Sequence, residues 1–177
     1  MSKTSLQSLI DSLSSEVQML LRFQLAYDRI FKFPDLQKIS RSDFVDRIIA
    51  LKAIENDILI RICKFDDKDS RSIGFKKIQN YLNYHKDKSV ILKRIQIFSN
   101  SIDDLKKTRR NKQLAHLDIG HKDNDYEPRY DFRPIINHIV ITLNLISQTE
   151  RKYIWKDGSM ELFDLVDEVL IKPTKNK

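Results

Sequence analysis

The chain has 177 residues, 41% hydrophobic and 32% charged, with a net charge of +7. That balance suits one globular domain over residues 1–177 and excludes a disordered chain. The single cysteine, Cys63, excludes an intramolecular disulfide and a Cys-cluster zinc site. Apolar runs are too short for a signal peptide or a bilayer span, so no membrane association is expected and the cytoplasm is the expected compartment. With only 3 glycines and 4 prolines, tight turns and bulges are scarce. Apolar residues at three-four spacing predict an all-α protein, an up-and-down helical bundle of about five to six helices.

Residues 4 to about 33 predict a first helix. Leu6, Leu9, Ile10, Leu13, Val17, Leu20, Leu21 and Leu25 form its apolar face, Thr4 or Ser5 caps it, and Pro34 stops it. Arg22, Tyr27, Arg29 and Lys32 leave a basic-aromatic edge near its end, suited to a solvated flank or to RNA. A second helix is predicted over 42–64, capped by Ser42 or Asp43. Phe44, Ile48, Leu51, Ile54, Ile58 and Ile62 share its stripe, and Ile49, Leu59 and Ile60 widen it, which predicts a central position. Asp57 and Arg61, four apart, are spaced for an ordinary helix pair. Cys63 falls on the apolar side and reads as core.

Phe65 to Ser72 is a charged segment expected to be solvated; it lacks the Gly turn and closing Glu of a calcium loop, so no metal site is expected there. Ser72 is expected to cap a third helix over 73–85 that ends at His85, where a cation suits the helix dipole. A fourth helix is predicted over 88–110, with Ile91, Ile95, Phe98, Ile102 and Leu105 inward. Residues 118–132 form an irregular polar segment containing His121. Asp131 is expected to cap a fifth helix over 132–155, with Ile135, Ile139, Leu143 and Ile146 inward, Pro134 tolerated in its first turn and His138 packed or on the surface. Gly158-Ser159 precedes a short last helix ending near 170, and 171–177 predict a frayed basic tail.

The most chemically loaded stretch runs from Arg109 to Asp118. Lys106, Lys107, Arg109, Arg110 and Lys112 place five cations in seven positions, more than a helix C-terminus needs, and their mutual repulsion points to a nearby anion such as phosphate. Arginine grips phosphate with a fork of donors, and histidine exchanges a proton near neutral pH. On a continuous helix Arg109 and His116 are nearly in line, whereas Arg110 and His116 point apart unless the helix breaks between them. The inward stripe, extended, falls on Arg109, Lys112 and His116, so either the helix ends near Arg110 or the core opens into a polar pocket there.

Arg110-Asn111-(Lys-Gln-Leu-Ala)-His116 resembles the Arg-(four to six residues)-His motif of the HEPN superfamily, the higher-eukaryote and prokaryote nucleotide-binding helical domains. Ala53–Asp67 together with Ser72-Ile73-Gly74-Phe75 is similar to the upstream helix and loop of its abortive-infection (AbiU-type) branch. The resemblance covers roughly residues 40–150 and implies a four-helix core with extra helices. It also implies RNA binding and metal-independent RNA cleavage without a cofactor. His116 would act as base or acid, Arg110 would stabilise charge on the phosphorus oxygens, and Asn111 would donate a hydrogen bond or hold the turn. Arg109, Asp57 and Asp118 would support them, and Lys106, Lys107 and Lys112 would bind the RNA backbone.

Family members commonly form homodimers with two motifs in one cleft, and the branch points to phage defence or toxin–antitoxin pairing, with an antitoxin or defence protein as a further partner. Where one toxin branch carries Tyr two residues after the His, this chain has Asp118, so inhibition by nucleotide transfer to that Tyr is not expected. Two rivals stand beside this expectation: a catalytically silent nucleic-acid- or nucleotide-binding module, and a helical protein-interaction partner whose cations dock an acidic protein.

Overall fold

The protein was described from a computed structural model, which covers residues 5–32, 38–67, 69, 72–103, 105–107, 131–156 and 162–171. It is predominantly all-α, as the periodicity predicts. Four long helices carry it: α1 (Leu6–Phe31), α2 (Arg41–Lys64), α4 (Lys88–Ser101) and α5 (Arg133–Ser147), with a one-turn α3 (Phe75–Gln79) between α2 and α4. A small antiparallel hairpin, β1 (Ile154–Lys156) and β2 (Leu162–Asp164), and a wide π-type turn over Asp167–Ile171 complete it. Among the described residues, no helix is long and apolar enough to cross a membrane.

The helices alternate in direction. Arg133 at the start of α5 pairs with Asp28 near the end of α1 at 2.7 Å, and Arg151 beyond α5 reaches Asp11 near the start of α1 at 3.3 Å. His85, just before α4, bonds the Ile146 carbonyl near the end of α5 at 3.1 Å, and His138 bonds the Arg94 carbonyl at 2.8 Å. So α5 opposes both α1 and α4. Arg61 on α2 meets Glu16 on α1 at 2.7 Å. At about 1.5 Å per residue, a parallel α2 would have to begin roughly 50 Å from the end of α1. The nine intervening residues span at most about 35 Å, so α2 opposes α1 and the bundle is up-and-down.

The predicted stripes are the core. Leu9, Leu13, Val17, Leu20 and Leu21 of α1, Ile91, Ile95 and Phe98 of α4, and Ile135, Ile139, Leu143 and Ile146 of α5 are all buried. Cys63 is buried and forms no disulfide. Ser5 caps α1, its hydroxyl accepting from the Ser8 amide at 3.1 Å. Asp131 accepts from the Arg133 amide at 3.1 Å and Pro134 sits in the first turn of α5, while Phe132 holds the cap position.

Several expectations are corrected. The cap of α2 is Ser40, one turn ahead of Asp43, whose amide it accepts at 3.1 Å. α2 is not central along its length: residues 41–46 are all exposed, and Ile49 is 60% exposed. Counted back from Arg61 opposite Glu16, α2 starts about 8 Å beyond the end of α1, so its first turn extends past that helix.

The third helix is one turn, not three. It begins after Gly74, without a side-chain cap, rather than after Ser72. A Cβ on Gly74 would meet the Lys64 and Phe65 carbonyl oxygens at 2.8 and 2.9 Å, so only glycine lets this strand of chain lie on the end of α2. The same approach lets the Phe75 amide bond the Phe65 carbonyl at 2.8 Å and brings Phe65, Phe75 and Phe98 into a ring cluster with centroids 5.4 Å apart.

α5 ends at Ser147, not 155, because Gln148 takes a left-handed conformation (φ 55°). The expected last helix is preceded by β2 of the hairpin. The basic-aromatic edge of α1 does not form as expected: Tyr27 is core, and the Arg22 guanidinium lies 4.5 Å over the Trp155 ring.

Two outcomes follow in unfolding measurements. Gly74→Ala should lower the denaturant-unfolding free energy by about 1–3 kcal/mol through backbone displacement, whereas exposed Ile49→Gln should stay within about 0.5 kcal/mol. Burial pushes the Tyr153 phenol up to about 12, with Ser14 and the Arg151 charge opposing. Its stabilising contribution is therefore complete below pH 10, the ordinary value, and is lost as pH rises through 12. Wild type should lose roughly 2–3 kcal/mol more than Tyr153→Phe across that window.

Candidate functional site

The motif residues Arg109, Arg110, Asn111, Lys112, His116 and Asp118 lie outside the described residues, as do His121 and the tail beyond 171. Their flanks are described. The chain reaches Lys107 from α4 and resumes at Asp131 before α5, at the end of the bundle where Arg133 holds Asp28.

The approach to the motif differs from the expected continuous helix. α4 ends at Ser101, with Ile102 as its cap, and residues 105–107 wind more widely. The Ile102 amide still bonds Phe98 at 3.2 Å and Lys106 bonds Ile102 at 2.9 Å, so Ile102 and Leu105 stay buried. A change from 100° per residue shifts the angular register. The α4 stripe stays buried through Leu105, and its extension onto Arg109, Lys112 and His116 lies outside the described residues.

Of the three lysines expected to bind RNA, the two described ones differ. Lys107 is exposed. Lys106 is half-buried, and its ammonium forms an ion pair with the Asp66 carboxylate. The other Asp66 oxygen accepts the Ser99 hydroxyl. Asp66 thus belongs to a folded contact between the end of α2 and the end of α4, not to a solvated loop. Nothing in its acidic neighbourhood announced this; the useful clue was the neighbouring Phe65, whose burial carries Asp66 inward.

Asp57 forms the ordinary helix pair. Its Oδ2 accepts Arg61 Nε at 2.6 Å, while Arg61 Nη1 donates to Glu16 at 2.7 Å and the guanidinium lies 5.2 Å over Phe23. Burial works against the Arg61 charge, but the hydrogen bonds and charges of Asp57 and Glu16 outweigh it and raise its pKa. The other role expected for Asp57, orienting Arg110 or His116, involves residues outside the described set.

The two described histidines are structural. His85 Nδ1 accepts the Asp87 amide at 3.1 Å, which leaves Nε2 to donate to the Ile146 carbonyl. It fastens the start of α4 to α5 instead of ending the third helix. His138 stacks on Phe98 with centroids 6.2 Å apart. Among the described residues, no three His, Cys, Asp or Glu side chains gather where they could share a metal ion.

The chain matches no family model, no characterised protein and no solved structure.

The Asp66–Lys106 pair yields a direct check. Asp66→Ala strands a half-buried ammonium and should cost about 2–4 kcal/mol. Lys106→Met keeps the stem packed and should cost less, and Lys107→Ala should fall within about 0.5 kcal/mol. Urea unfolding of the single variants and the Asp66/Lys106 double variant measures the coupling.

Proposed function

We propose that this chain is an HEPN-type RNA-binding domain that cleaves RNA without a metal ion, in a phage-defence or toxin–antitoxin setting. The observation that carries it is the run Arg109-Arg110-Asn111-Lys112 followed by His116, which begins two residues after the exposed Lys107. An all-α up-and-down bundle and a net charge of +7 are in keeping with it.

In this proposal His116 takes the proton of a ribose 2′-hydroxyl as the 2′-oxygen attacks phosphorus. Arg110 stabilises the charge that grows on the non-bridging oxygens. The P–O5′ bond breaks as the 5′-oxygen takes the proton back from His116, giving a 2′,3′-cyclic phosphate and a 5′-hydroxyl. Asn111 donates a hydrogen bond or holds the turn, and Arg109 and Asp118 orient the pair. Lys107 and Lys112 attract the backbone, with Lys106 shared with Asp66. One Arg and one His per chain is a small catalytic set, and a homodimer sharing one cleft doubles it.

A second reading has an observation of its own. Phe44, Val45 and Ile49 in the first half of α2 are exposed, which suits a helical interaction partner. It predicts no nucleic-acid binding even at low salt.

The purified protein should cut RNA in EDTA, and His116→Ala and Arg110→Ala should each slow cutting by at least about a hundredfold. RNA binding retained by His116→Ala together with absent cutting by wild type would leave a silent binding module. Equal cutting by all three proteins would remove the catalytic assignment.

A further inference from the structure

Residues 75–88, α3 and the turns after it, lead to the first residue of α4, and within them Tyr84 is fully exposed. Its backbone is nevertheless held. The His85 amide bonds the Leu82 carbonyl at 3.0 Å, which closes a turn with Asn83 and Tyr84 at its tip. Both closing residues are anchored. Leu82 is buried, and the His85 ring bonds the Ile146 carbonyl of α5 at 3.1 Å and accepts the Asp87 amide at 3.1 Å. Three residues before Tyr84, Tyr81 is 40% exposed, and its amide bonds the Ile78 carbonyl at 2.8 Å. Two tyrosines thus reach the surface from one strap fastened to the core.

The strap is also basic. Residues 75–88 hold four lysines and one aspartate. Lys76 and Lys86 are exposed. The Lys88 ammonium donates to the Asn83 side-chain oxygen at 3.2 Å, which sets a cation beside the tip of the turn. Two carboxylates stand near Lys86: Asp87 and, beyond α5, Glu150 line one cleft with it. Four cations against two anions leave the surface positive, by less than the lysines alone suggest.

A wholly exposed ring contributes no burial to the fold. Its flat face offers a stacking surface with only two side-chain torsions to fix. Every base has a π face, so an aromatic ring beside cations suits a single strand, whose bases are free. A duplex keeps its bases stacked inside, and an acidic peptide would match the lysines but leave the ring face unused.

We propose that this strap binds single-stranded RNA, with a base stacked on Tyr84 and its lysines attracting the adjoining phosphates. The proposal rests on the reading of the chain as an RNA-binding domain but not on Arg110 or His116, and it holds whether or not the RNA is cut.

The test is fluorescence anisotropy with a labelled oligouridylate of about 12 nucleotides. Its riboses are 2′-O-methylated, so no 2′-hydroxyl is there to attack. Tyr84→Ala should weaken binding roughly tenfold, and Tyr84→Phe, which keeps the ring, should bind like wild type. Both variants should melt with wild type, because the side chain is fully exposed. The double variant Lys76→Gln/Lys86→Gln should flatten the dependence of log affinity on log salt by roughly one unit. The proposal is overturned if Tyr84→Ala binds like wild type, if Tyr84→Phe loses as much as Tyr84→Ala, or if a duplex of the same length is weakened as much by Tyr84→Ala. Wild type that cuts RNA yet binds it equally without the Tyr84 ring removes this proposal alone. Wild type that neither binds nor cuts removes the RNA reading with it.

Discussion

The carboxylate of Asp66 holds together the part of the fold that leads into the motif. It sits where α2 has just ended and grips two groups from the far end of α4, the Ser99 hydroxyl and the Lys106 ammonium. An ion pair removed from water is stable only when its remaining hydrogen-bonding capacity is met, and Ser99 meets part of it. The Phe65–Phe75–Phe98 cluster beneath it excludes water from the same junction. Gly74 permits that cluster, because any side chain there would strike the carbonyls that close α2. A glycine, three rings and one ion pair thereby set the position from which the chain departs at Lys107.

That junction also changes how the cationic run is understood. Five cations in seven positions looked like a single patch awaiting an anion. One of them already has its counterion inside the protein, so Lys106 offers less charge to a ligand than its neighbours. A lysine engaged in this way positions the following backbone. Of the two described lysines of the run, Lys107 is the exposed one.

The legible parts of the fold were those with a single apolar stripe. In α1, α4 and α5 the three-four spacing specified which residues meet the core, and the stripe through Ile91, Ile95, Phe98, Ile102 and Leu105 stayed buried even where the helix widened. α2 was less legible because its apolar residues surround the helix, and composition does not say that its first turn extends past α1. The end of α5 was invisible because a glutamine, not a glycine, adopts the left-handed turn at 148. The later start of the third helix goes with the contact of Gly74 and Phe75 with the end of α2, which no local pattern at Ser72 announces. The candidate site was legible as chemistry, a fork of arginines beside a histidine, but its convergence depends on residues beyond those described, and Asp57 is visible only in its pair with Arg61.

The central claim is a transesterification by the 2′-hydroxyl, and the chemistry of the cut ends tests it most directly. Mass spectrometry of RNA fragments made by the purified protein in EDTA should show 2′,3′-cyclic phosphates paired with 5′-hydroxyls. Fragments ending in 3′-hydroxyls and 5′-phosphates would mean that water, not the ribose, attacks phosphorus, and would contradict the roles assigned to His116 and Arg110.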